Sequence, residues 1–343
     1  MTAIYENYES PWMDNELSVL KDAANRFFST EFVPHKDRWI EQGKVDRDAW
    51  NKAGEAGLLC TEIPAQYGGG GGDYRHETIV TEEQLGAGIS GFGNQVHSQI
   101  VAPYLLHYGN EEQKQKWLPK MATGEMVGAI AMTEPNTGSD LQNVKTSATK
   151  NGDSYVINGA KTYITNGIHA DLVVLVAKTD PDLGAKGISL IIVEANTKGF
   201  NKGRNLKKLG LNSGDTAELF FDGCIVPRAN LLGPEEGKGF IQLMQQLPQE
   251  RLSLAQGAVV ETERALAMTL DFVKQRKAFG QRILDFQNTK FKLAECKTEA
   301  LIGRTFVDQC LIKHLDGNLA VSYTHLRAHE TVLDLVCRLL LEK

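Results

Sequence analysis

The sequence predicts an α+β protein in which an N-terminal helical domain precedes a central antiparallel β-barrel or sandwich domain and a C-terminal helical bundle. Two changes of pattern along the 343 residues indicate this, one near residue 125 and one near residue 235. Apolar residues recur at helical spacing before the first change and after the second. Between the changes, short β-branched and aromatic runs alternate with Asn-Gly and Asp-Gly turns. We therefore expect domains at 1–125, 126–235 and 236–322.

The N-terminal domain is predicted to consist of helices separated by glycine and proline. Apolar residues recur every three or four positions over 17–27, and this pattern ends near Pro34. Another helix is expected over about 111–117. Five consecutive glycines at 68–72 favour neither helix nor strand, so we expect an irregular loop there.

The other two domains have their own patterns. The predicted strands lie at 127–132, 155–157, 172–177, 188–193 and 217–225. In the C-terminal domain, apolar and small residues alternate every three and four positions from Leu293 to His314. Because small residues let helices approach closely, we expect tight helix–helix packing along this seam.

Composition and charge place the chain among ordinary globular proteins. The apolar fraction is 42%, the charged fraction is 23% and the net charge is −6. A chain of this length can bury a sizeable core without disulfide or metal staples. Mild acidity without a lysine or arginine block argues against a nucleic acid or an anionic membrane as the main partner. No apolar run reaches the ~18 residues that a bilayer-spanning helix needs.

The five cysteines are scattered and odd in number, and none forms a C-x-x-C pair. The pattern therefore predicts neither a disulfide framework nor a metal site, and it favours a cytoplasmic location. The first fifteen residues are acidic and lack a basic segment followed by an apolar one, so we expect no signal peptide.

A formal G-x-G-x-x-G occurs at 86–91. A dinucleotide site needs a strand before this motif and a helix after it, so that free N–H groups meet the pyrophosphate. The preceding residues 81–85 look helical instead, and we discard this interpretation.

The segment 131–140 is a strand end followed by a Pro/Gly-rich turn with several hydroxyl groups. Such a turn can hold a ring system and a phosphate, although the residues alone favour an ordinary surface turn. The segment 161–167 offers an aromatic ring and a hydroxyl at Tyr163 and Thr165, on one face of a strand. That pair suits a planar ligand, but alternation in a half-buried strand explains it equally well.

The segment 246–252 contains Glu250 between apolar positions, with Pro248 inside a helix or kinking it. A buried carboxylate with a raised pKa suits a general base that works near neutral pH. The residues alone favour an exposed glutamate paired with a neighbouring cation. The basic end of the same helix at Arg276, before Gly280, is ordinary helix-ending chemistry.

Four motifs in fixed order carry a family resemblance. A-M-T-E-P-N-T-G-S-D (131–140), K-T-Y-I-T-N-G (161–167), V-P-R-A-N-L-L-G (226–233) and R-K-A-F-G (276–280) resemble the flavin-dependent acyl-CoA dehydrogenase family. The resemblance covers about residues 17–322, and the helix–barrel–helix layout is similar to the family's fold. L-P-Q-E-R-L (247–252) is most similar to the long-chain type, in which the catalytic base lies on this helix.

The resemblance implies a role for each matching residue. Glu250 matches the base that removes the α-proton of the acyl thioester. The positions that match FAD contacts are Met132, Thr133, Gly138, Ser139, Tyr163, Ile164, Thr165, Arg276 and Gln287. The positions that match the neighbourhood of the substrate are Ser139, Ala185, Lys186, Ile241, Pro248, Gln249 and Arg251.

The implied activity is FAD-dependent dehydrogenation of an acyl-CoA to a trans-2-enoyl-CoA, as in fatty acid β-oxidation. Electrons are expected to leave through an electron-transferring flavoprotein. Since Arg276 and Gln287 match contacts to the FAD of a neighbouring subunit, a homodimer or homotetramer is implied. Two alternatives stay open, namely a flavin oxidase or monooxygenase on the same fold and a non-catalytic binding protein.

Residues 323–343 do not resemble any acyl-CoA dehydrogenase. They resemble a translated sequencing adapter, and we interpret them as a non-native tail in place of the rest of the C-terminal domain. A natural, divergent C-terminus is the alternative. The missing part supplies further FAD contacts, an N–H for the thioester oxygen and subunit interface in the family, so the resemblance implies weakened FAD binding or activity in this chain.

Overall fold

The computed structural model describes residues 4–5 and 8–320. The predicted non-native tail at 323–343 lies outside these residues. The chain forms two compact units. The first comprises the described residues of 1–29, 78–89 and 248–343, and the second comprises 30–77 and 90–247.

Eight α-helices occur within the described residues. They are α1 (Asn15–Phe27), α2 (Lys36–Gln42), α3 (Asp48–Glu55), α4 (Tyr74–Gly86), α5 (Ala102–Tyr108), α6 (Glu111–Ala122), α7 (Gly239–Gln275) and α8 (Gln287–Leu315). The helices predicted over 17–27 and from residue 111 are confirmed as α1 and α6. Asp14 accepts a hydrogen bond from the Leu17 N–H at the start of α1, and Asn110 forms a capping box at the start of α6. None of the helices in the described part of the chain is long and apolar enough to cross a membrane.

Seven strands form one sheet. They are β1 (Gly128–Ala131), β2 (Ser147–Asn151), β3 (Ser154–Thr165), β4 (Leu172–Lys178), β5 (Ile188–Glu194), β6 (Phe200–Asn205) and β7 (Thr216–Pro227). The order is β1-β4-β2-β3-β7-β6, with β5 also paired to β4. A separate two-stranded ribbon joins β8 (Lys277–Ala278) and β9 (Gln281–Arg282). All five predicted strands are confirmed, whereas β2 and β6 were not predicted.

Strand pairing is mostly antiparallel, as expected for the central domain. β2–β3, β3–β7, β6–β7 and β4–β5 are antiparallel. β1 differs, because it pairs with β4 in parallel, and β2 meets β4 through one parallel bridge between Ser147 and Lys178. The helical, β and helical order of the predicted fold class is therefore confirmed, with a mixed sheet at its centre.

Alternate residues of β4 face two different hydrophobic cores. The first core contains Leu172, Val174 and Val176, with Trp117 and Leu118 of α6. The second core contains Val173, Leu175 and Ala177, with Tyr155 and Ile157 of β3. Fully burying one Val or Leu side chain contributes about 1.5–3 kcal/mol, so this strand is a main source of stability in the second unit.

In the first unit, the predicted helix seam on α8 is confirmed. Leu293, Ala300, Gly303, Val307 and Cys310 are all buried. A Cβ added at Gly303 would lie 3.4 Å from a side-chain carbon of Val259, an ordinary van der Waals distance, so α7 faces α8 at this point.

Arg304 on α8 is the centre of a buried ion network in the first unit. Its guanidinium pairs with Glu82 and Glu263, and lies 3.7 Å from Asp308. Asp308 in turn accepts hydrogen bonds from Trp12 Nε1 at 3.0 Å and Tyr8 at 2.7 Å. The network therefore ties the chain before α1 to α8.

The predicted irregular loop at 68–72 is confirmed. Its amides donate back to the segment before it, from Gly70 to Cys60 O at 3.2 Å and from Gly72 to Thr61 O at 2.9 Å. A Cβ at Gly69 would lie 2.2 Å from the Ile63 carbonyl oxygen, so the close approach requires glycine.

The same region of the second unit buries a carboxyl group at Glu77 on α4. One Glu77 oxygen accepts a hydrogen bond from the Glu62 N–H at 3.3 Å. Burial raises the pKa of Glu77 to about 7. Burial and the charge of Glu77 raise the pKa of Glu62 to about 8. Both carboxyl groups therefore bind their protons more tightly in the folded protein than in the unfolded chain.

We predict that the Glu77 carboxyl makes stability decrease as the pH rises. The folded protein holds a proton on Glu77 between its ordinary pKa of 4.5 and about 7, whereas the unfolded chain has lost it. The stabilisation is therefore complete below pH 4.5 and is lost as the pH rises through 7, a decline of about 3 kcal/mol. Urea denaturation at pH 5 and at pH 7.5 measures the free energy of unfolding at each pH. The difference between the two values is expected to be smaller in Glu77→Gln than in the wild type. Glu112 is exposed, so Glu112→Gln is the matched control and is expected to keep the full decline in stability. An equal decline between pH 5 and pH 7.5 in the two variants would contradict the assignment.

Candidate active site

The predicted ligand-binding turn and the predicted ligand-binding strand lie side by side in the second unit. The Met132 carbonyl oxygen accepts a hydrogen bond from Lys161 Nζ at 2.9 Å. The Thr133 carbonyl oxygen accepts one from the Thr162 N–H, also at 2.9 Å. The two segments, 131–140 and 161–167, are thus joined through their backbones as well as through a side chain.

Glu134 closes the turn. Its N–H and C=O exchange hydrogen bonds with Thr137, at 2.9 and 3.1 Å. Its buried carboxylate accepts hydrogen bonds from Lys161 Nζ at 2.9 Å, Thr146 N–H at 2.9 Å and Lys145 N–H at 2.6 Å. The carboxylate therefore faces inward, while Gly138 and Ser139 at the tip of the turn are exposed.

The Lys161–Glu134 ion pair is buried on both sides, with side-chain exposures of 0% and 6%. Burial lowers the pKa of Lys161 to about 8, against the opposing effect of the Glu134 charge. Burial alone would raise the pKa of Glu134. The hydrogen bonds that Glu134 accepts from residues 145 and 146, together with the charge of Lys161, outweigh burial and lower this pKa below its usual range. The pair is therefore ionised at neutral pH.

Tyr163 has an unusual backbone. Its φ of +59° lies in the left-handed region, which a residue with a Cβ rarely adopts. The pairing of β3 with β7 shifts register between Lys161 and Ile164, so a bulge interrupts the strand here. Simple alternation would put residues 161, 163 and 165 on one face. Instead Lys161 is buried, Tyr163 is 69% exposed and Thr165 is half-buried.

Apart from Ser139 on the turn, the substrate-matching residues of the second unit lie on two neighbouring segments. Ala185 and Lys186 belong to the 3₁₀ segment Pro181–Gly187 before β5, and are half-buried and exposed respectively. Ile241 is exposed in the first turn of α7. A Cβ at Gly237 would lie 2.3 Å from the Lys186 carbonyl oxygen, so the chain just before α7 contacts the 185–186 segment.

The remaining predicted residues belong to the first unit. Glu250 and Arg251 on α7 are half-buried, and Gln249 is buried. Pro248 lies in the interior of α7, as expected. Arg276 and Gln287 are exposed, the first just after the end of α7 and the second at the start of α8. Glu250 is thus neither fully buried nor fully exposed. The sequence offered two interpretations, a buried general base and an exposed glutamate, and the observed burial lies between them.

The residues of the second unit fit FAD. Thr133, Ser139 and Thr165 provide hydroxyl groups, and Tyr163 provides an exposed ring for a planar heterocycle. The Glu134 carboxylate is turned away from solvent and paired with Lys161, so Asp140 is the one exposed acidic residue of the turn. Sequence reasoning missed Lys161 and Glu134, although both stand inside the two motifs. The available signal was the single lysine of the 161–167 motif, together with the two acidic residues, Glu134 and Asp140, of the 131–140 motif.

Comparison with known proteins identifies similar chains. Family models described as the N-terminal, middle and C-terminal domains of acyl-CoA dehydrogenase match residues 14–125, 129–224 and 237–339. The pig long-chain specific acyl-CoA dehydrogenase, named as mitochondrial, is 47% identical over 302 residues, which cover 88% of this chain and 70% of the relative.

Solved structures agree with these matches. The crystal structure of an acyl-CoA dehydrogenase from Geobacillus kaustophilus has a TM-score of 0.94 and 46% identity, covering 97% of this chain and 88% of the other. A glutaryl-CoA dehydrogenase from Mycobacterium smegmatis, solved in complex with FADH2, has a TM-score of 0.87 and 26% identity, covering 96% and 85%.

We predict that the left-handed backbone at Tyr163 is strained. A residue with a Cβ costs roughly 1–2 kcal/mol in this region, whereas glycine adopts it readily. Without FAD, Tyr163→Gly is therefore expected to be more stable than Tyr163→Ala by about 1 kcal/mol in urea denaturation. Thr165, which has no positive φ, is the matched control. At position 165 the alanine variant is expected to be more stable than the glycine variant, by about 0.5–1 kcal/mol. If the glycine variant were the more stable one at both positions, the strain at Tyr163 would be disproved.

Proposed function

Because the chain belongs to the acyl-CoA dehydrogenase family, we propose that it oxidises a long-chain acyl-CoA to the trans-2-enoyl-CoA with Glu250 as the base. Members of this family are FAD-dependent oxidoreductases, and FAD is the cofactor of this chain. The observation that carries the proposal is the joined pair of segments, 131–140 and 161–167, whose exposed groups fit a flavin.

FAD would be held by Met132, Thr133, Gly138, Ser139, Tyr163, Ile164 and Thr165, while Arg276 and Gln287 would contact the FAD of a neighbouring subunit. When bound, it supplies the acceptor for the hydride that leaves the β-carbon of the acyl chain. Tyr163 stands on its bulge with an open ring face, and hydroxyl groups of the turn can donate to the polar edge of the heterocycle.

Glu250 is proposed to take the proton from the α-carbon of the thioester. Glu250 is half-buried, so its side chain keeps access to a substrate, as a general base requires. An α-C–H beside a thioester is only weakly acidic, so the reaction also needs hydrogen-bond donors aimed at the thioester oxygen. The proposed base lies on α7, two residues after Pro248.

The substrate is proposed to contact Ser139, Ala185, Lys186, Ile241, Pro248, Gln249 and Arg251. Exposed Lys186 suits the phosphates of coenzyme A, and exposed Ile241 suits an apolar portion of the ligand. The long-chain preference is supported by the L-P-Q-E-R-L segment and by the name of the pig relative.

Two partners are proposed. The family resemblance supports an electron-transferring flavoprotein as the electron acceptor. A homodimer or homotetramer is supported by exposed aromatic side chains on the first unit, where Phe272, Phe279 and Phe291 are 62%, 96% and 59% exposed. Sedimentation of the purified protein measures the oligomeric state, and a strictly monomeric chain would argue against this part.

We also propose a cytoplasmic location. The support is that the four cysteines within the described residues, Cys60, Cys224, Cys296 and Cys310, form no disulfide. Fractionation of the native host cells measures the location directly.

We predict that Glu250→Gln abolishes substrate oxidation while FAD binding is retained. The amide keeps the shape of the side chain but cannot accept the α-proton, and loss of a positioned base costs about 10²–10⁴-fold in rate. Anaerobic titration of the FAD-loaded protein with palmitoyl-CoA and with butyryl-CoA, followed at the flavin absorption band, is the measurement. Bleaching by palmitoyl-CoA is expected in the wild type and not in Glu250→Gln.

Glu261→Gln, on the same helix, is the matched control and is expected to bleach as the wild type does. Bleaching of Glu250→Gln at the wild-type rate would exclude Glu250 as the base. Bleaching by butyryl-CoA alone would exclude the long-chain preference, and FAD uptake without any bleaching would contradict the proposed reaction.

A further inference from the structure

Lys161 occupies a position that an ammonium group rarely tolerates. Its side chain has no exposed surface, and a buried charge is costly unless it is paired and hydrogen-bonded. Lys161 Nζ meets this requirement with two acceptors, the Met132 carbonyl oxygen and Glu134 Oε1, each at 2.9 Å. One of its two partners is therefore the backbone of the proposed FAD-binding turn.

The Glu134 carboxylate extends this connection to a third segment. Besides Lys161, it accepts from the backbone N–H groups of Lys145 and Thr146, just before β2. The pair thus fixes three stretches of chain, at 132–134, 145–146 and 161–162, around one buried point. Apolar side chains of the same volume would fill the space but could not hold these backbone groups.

The pair also determines where the backbone of the turn points. The Met132 carbonyl oxygen is directed inward, to Lys161. In a planar trans peptide the N–H of the next residue points the opposite way, and the described peptide bonds are all trans. The Thr133 N–H is therefore directed away from Lys161. Two residues after Lys161, the chain enters the left-handed backbone of Tyr163, so the same anchor precedes the bulge that exposes this ring.

We propose that Lys161 and Glu134 are positioning residues that hold the turn and Tyr163 in the FAD-binding arrangement before FAD arrives. This inference rests on the proposed role of the turn in binding FAD. Neither side chain needs to touch the cofactor, because both are turned inward. A preorganised site avoids the cost of ordering two segments on binding, so loss of the pair weakens FAD binding more than it perturbs the rest of the fold.

The test compares Lys161→Met with the double variant Lys161→Met/Glu134→Leu. The single variant leaves a buried, unpaired carboxylate and is expected to lose stability, whereas the double variant removes both charges and is expected to recover much of it. FAD affinity is expected to fall at least about 10-fold in both variants, because neither restores the hydrogen bonds to the turn. Fluorescence titration measures the affinity, and urea denaturation measures the stability.

Hydrogen exchange of the FAD-free proteins gives an independent readout. Amides at 132–139 and 161–165 are expected to exchange faster in both variants, while those of β4 keep their wild-type rates. Asp308→Asn, in the buried network of the first unit, is the matched control and is expected to keep wild-type FAD affinity and wild-type exchange at 132–139.

Wild-type affinity and wild-type exchange in the double variant would overturn the inference. Recovery of FAD affinity together with stability in the double variant would also overturn it, since the pair would then be merely structural. If the wild-type chain takes up no FAD, the proposed cofactor role of this chain fails, and the exchange rates still decide whether the pair holds the turn.

Discussion

Within β4, the side chains at 172–177 are all fully buried, and alternate ones enter two different cores. A strand with no solvent-facing side is held in register by packing on both faces, since a slip of one residue would exchange the contents of the two cores. β1 and β5 pair with this strand, and the turn at 131–140 begins where β1 ends. The position of the proposed FAD turn therefore follows from the register of β4.

Burial of this kind fixes the strands but not the loops that connect them. The proposed FAD site depends on such a loop, the turn at 131–140. The turn after β1 has a glycine and several polar residues, and of its side chains only a few, such as Met132, pack against a hydrophobic core. The ion pair between Lys161 and Glu134 supplies what packing cannot, because each charge satisfies directional acceptors or donors on the backbone. A buried ion pair contributes little net stability compared with apolar residues, but this one also hydrogen-bonds backbone groups of residues 132, 145 and 146. The location of this pair beside the proposed site is thus better explained by its effect on the position of the turn than by its effect on the stability of the fold.

The sequence predicts the fold well where elements carry their own signals. β4 and β5 are β-branched runs, and α6 has a capping box and an apolar stripe. β2 and β6 have no such signal, because Ser147–Asn151 and Phe200–Asn205 are mostly polar and are made into strands by pairing with β3 and β7. The parallel pairing of β1 with β4 is likewise set by the distant contacts of both strands, which a local pattern does not contain.

The candidate site is predictable from the sequence only in part, and for a different reason. Motif order predicts one function for Thr133, Tyr163 and Glu250, but alternation along a regular strand assigns Lys161 to the face of Tyr163. The bulge separates them, burying the cation and exposing the ring. A tyrosine with positive φ and a lysine without exposed surface each break a local rule, and such exceptions persist only where surrounding contacts enforce them. Their coincidence within three residues of β3 is physical support for a functional site, independent of any resemblance.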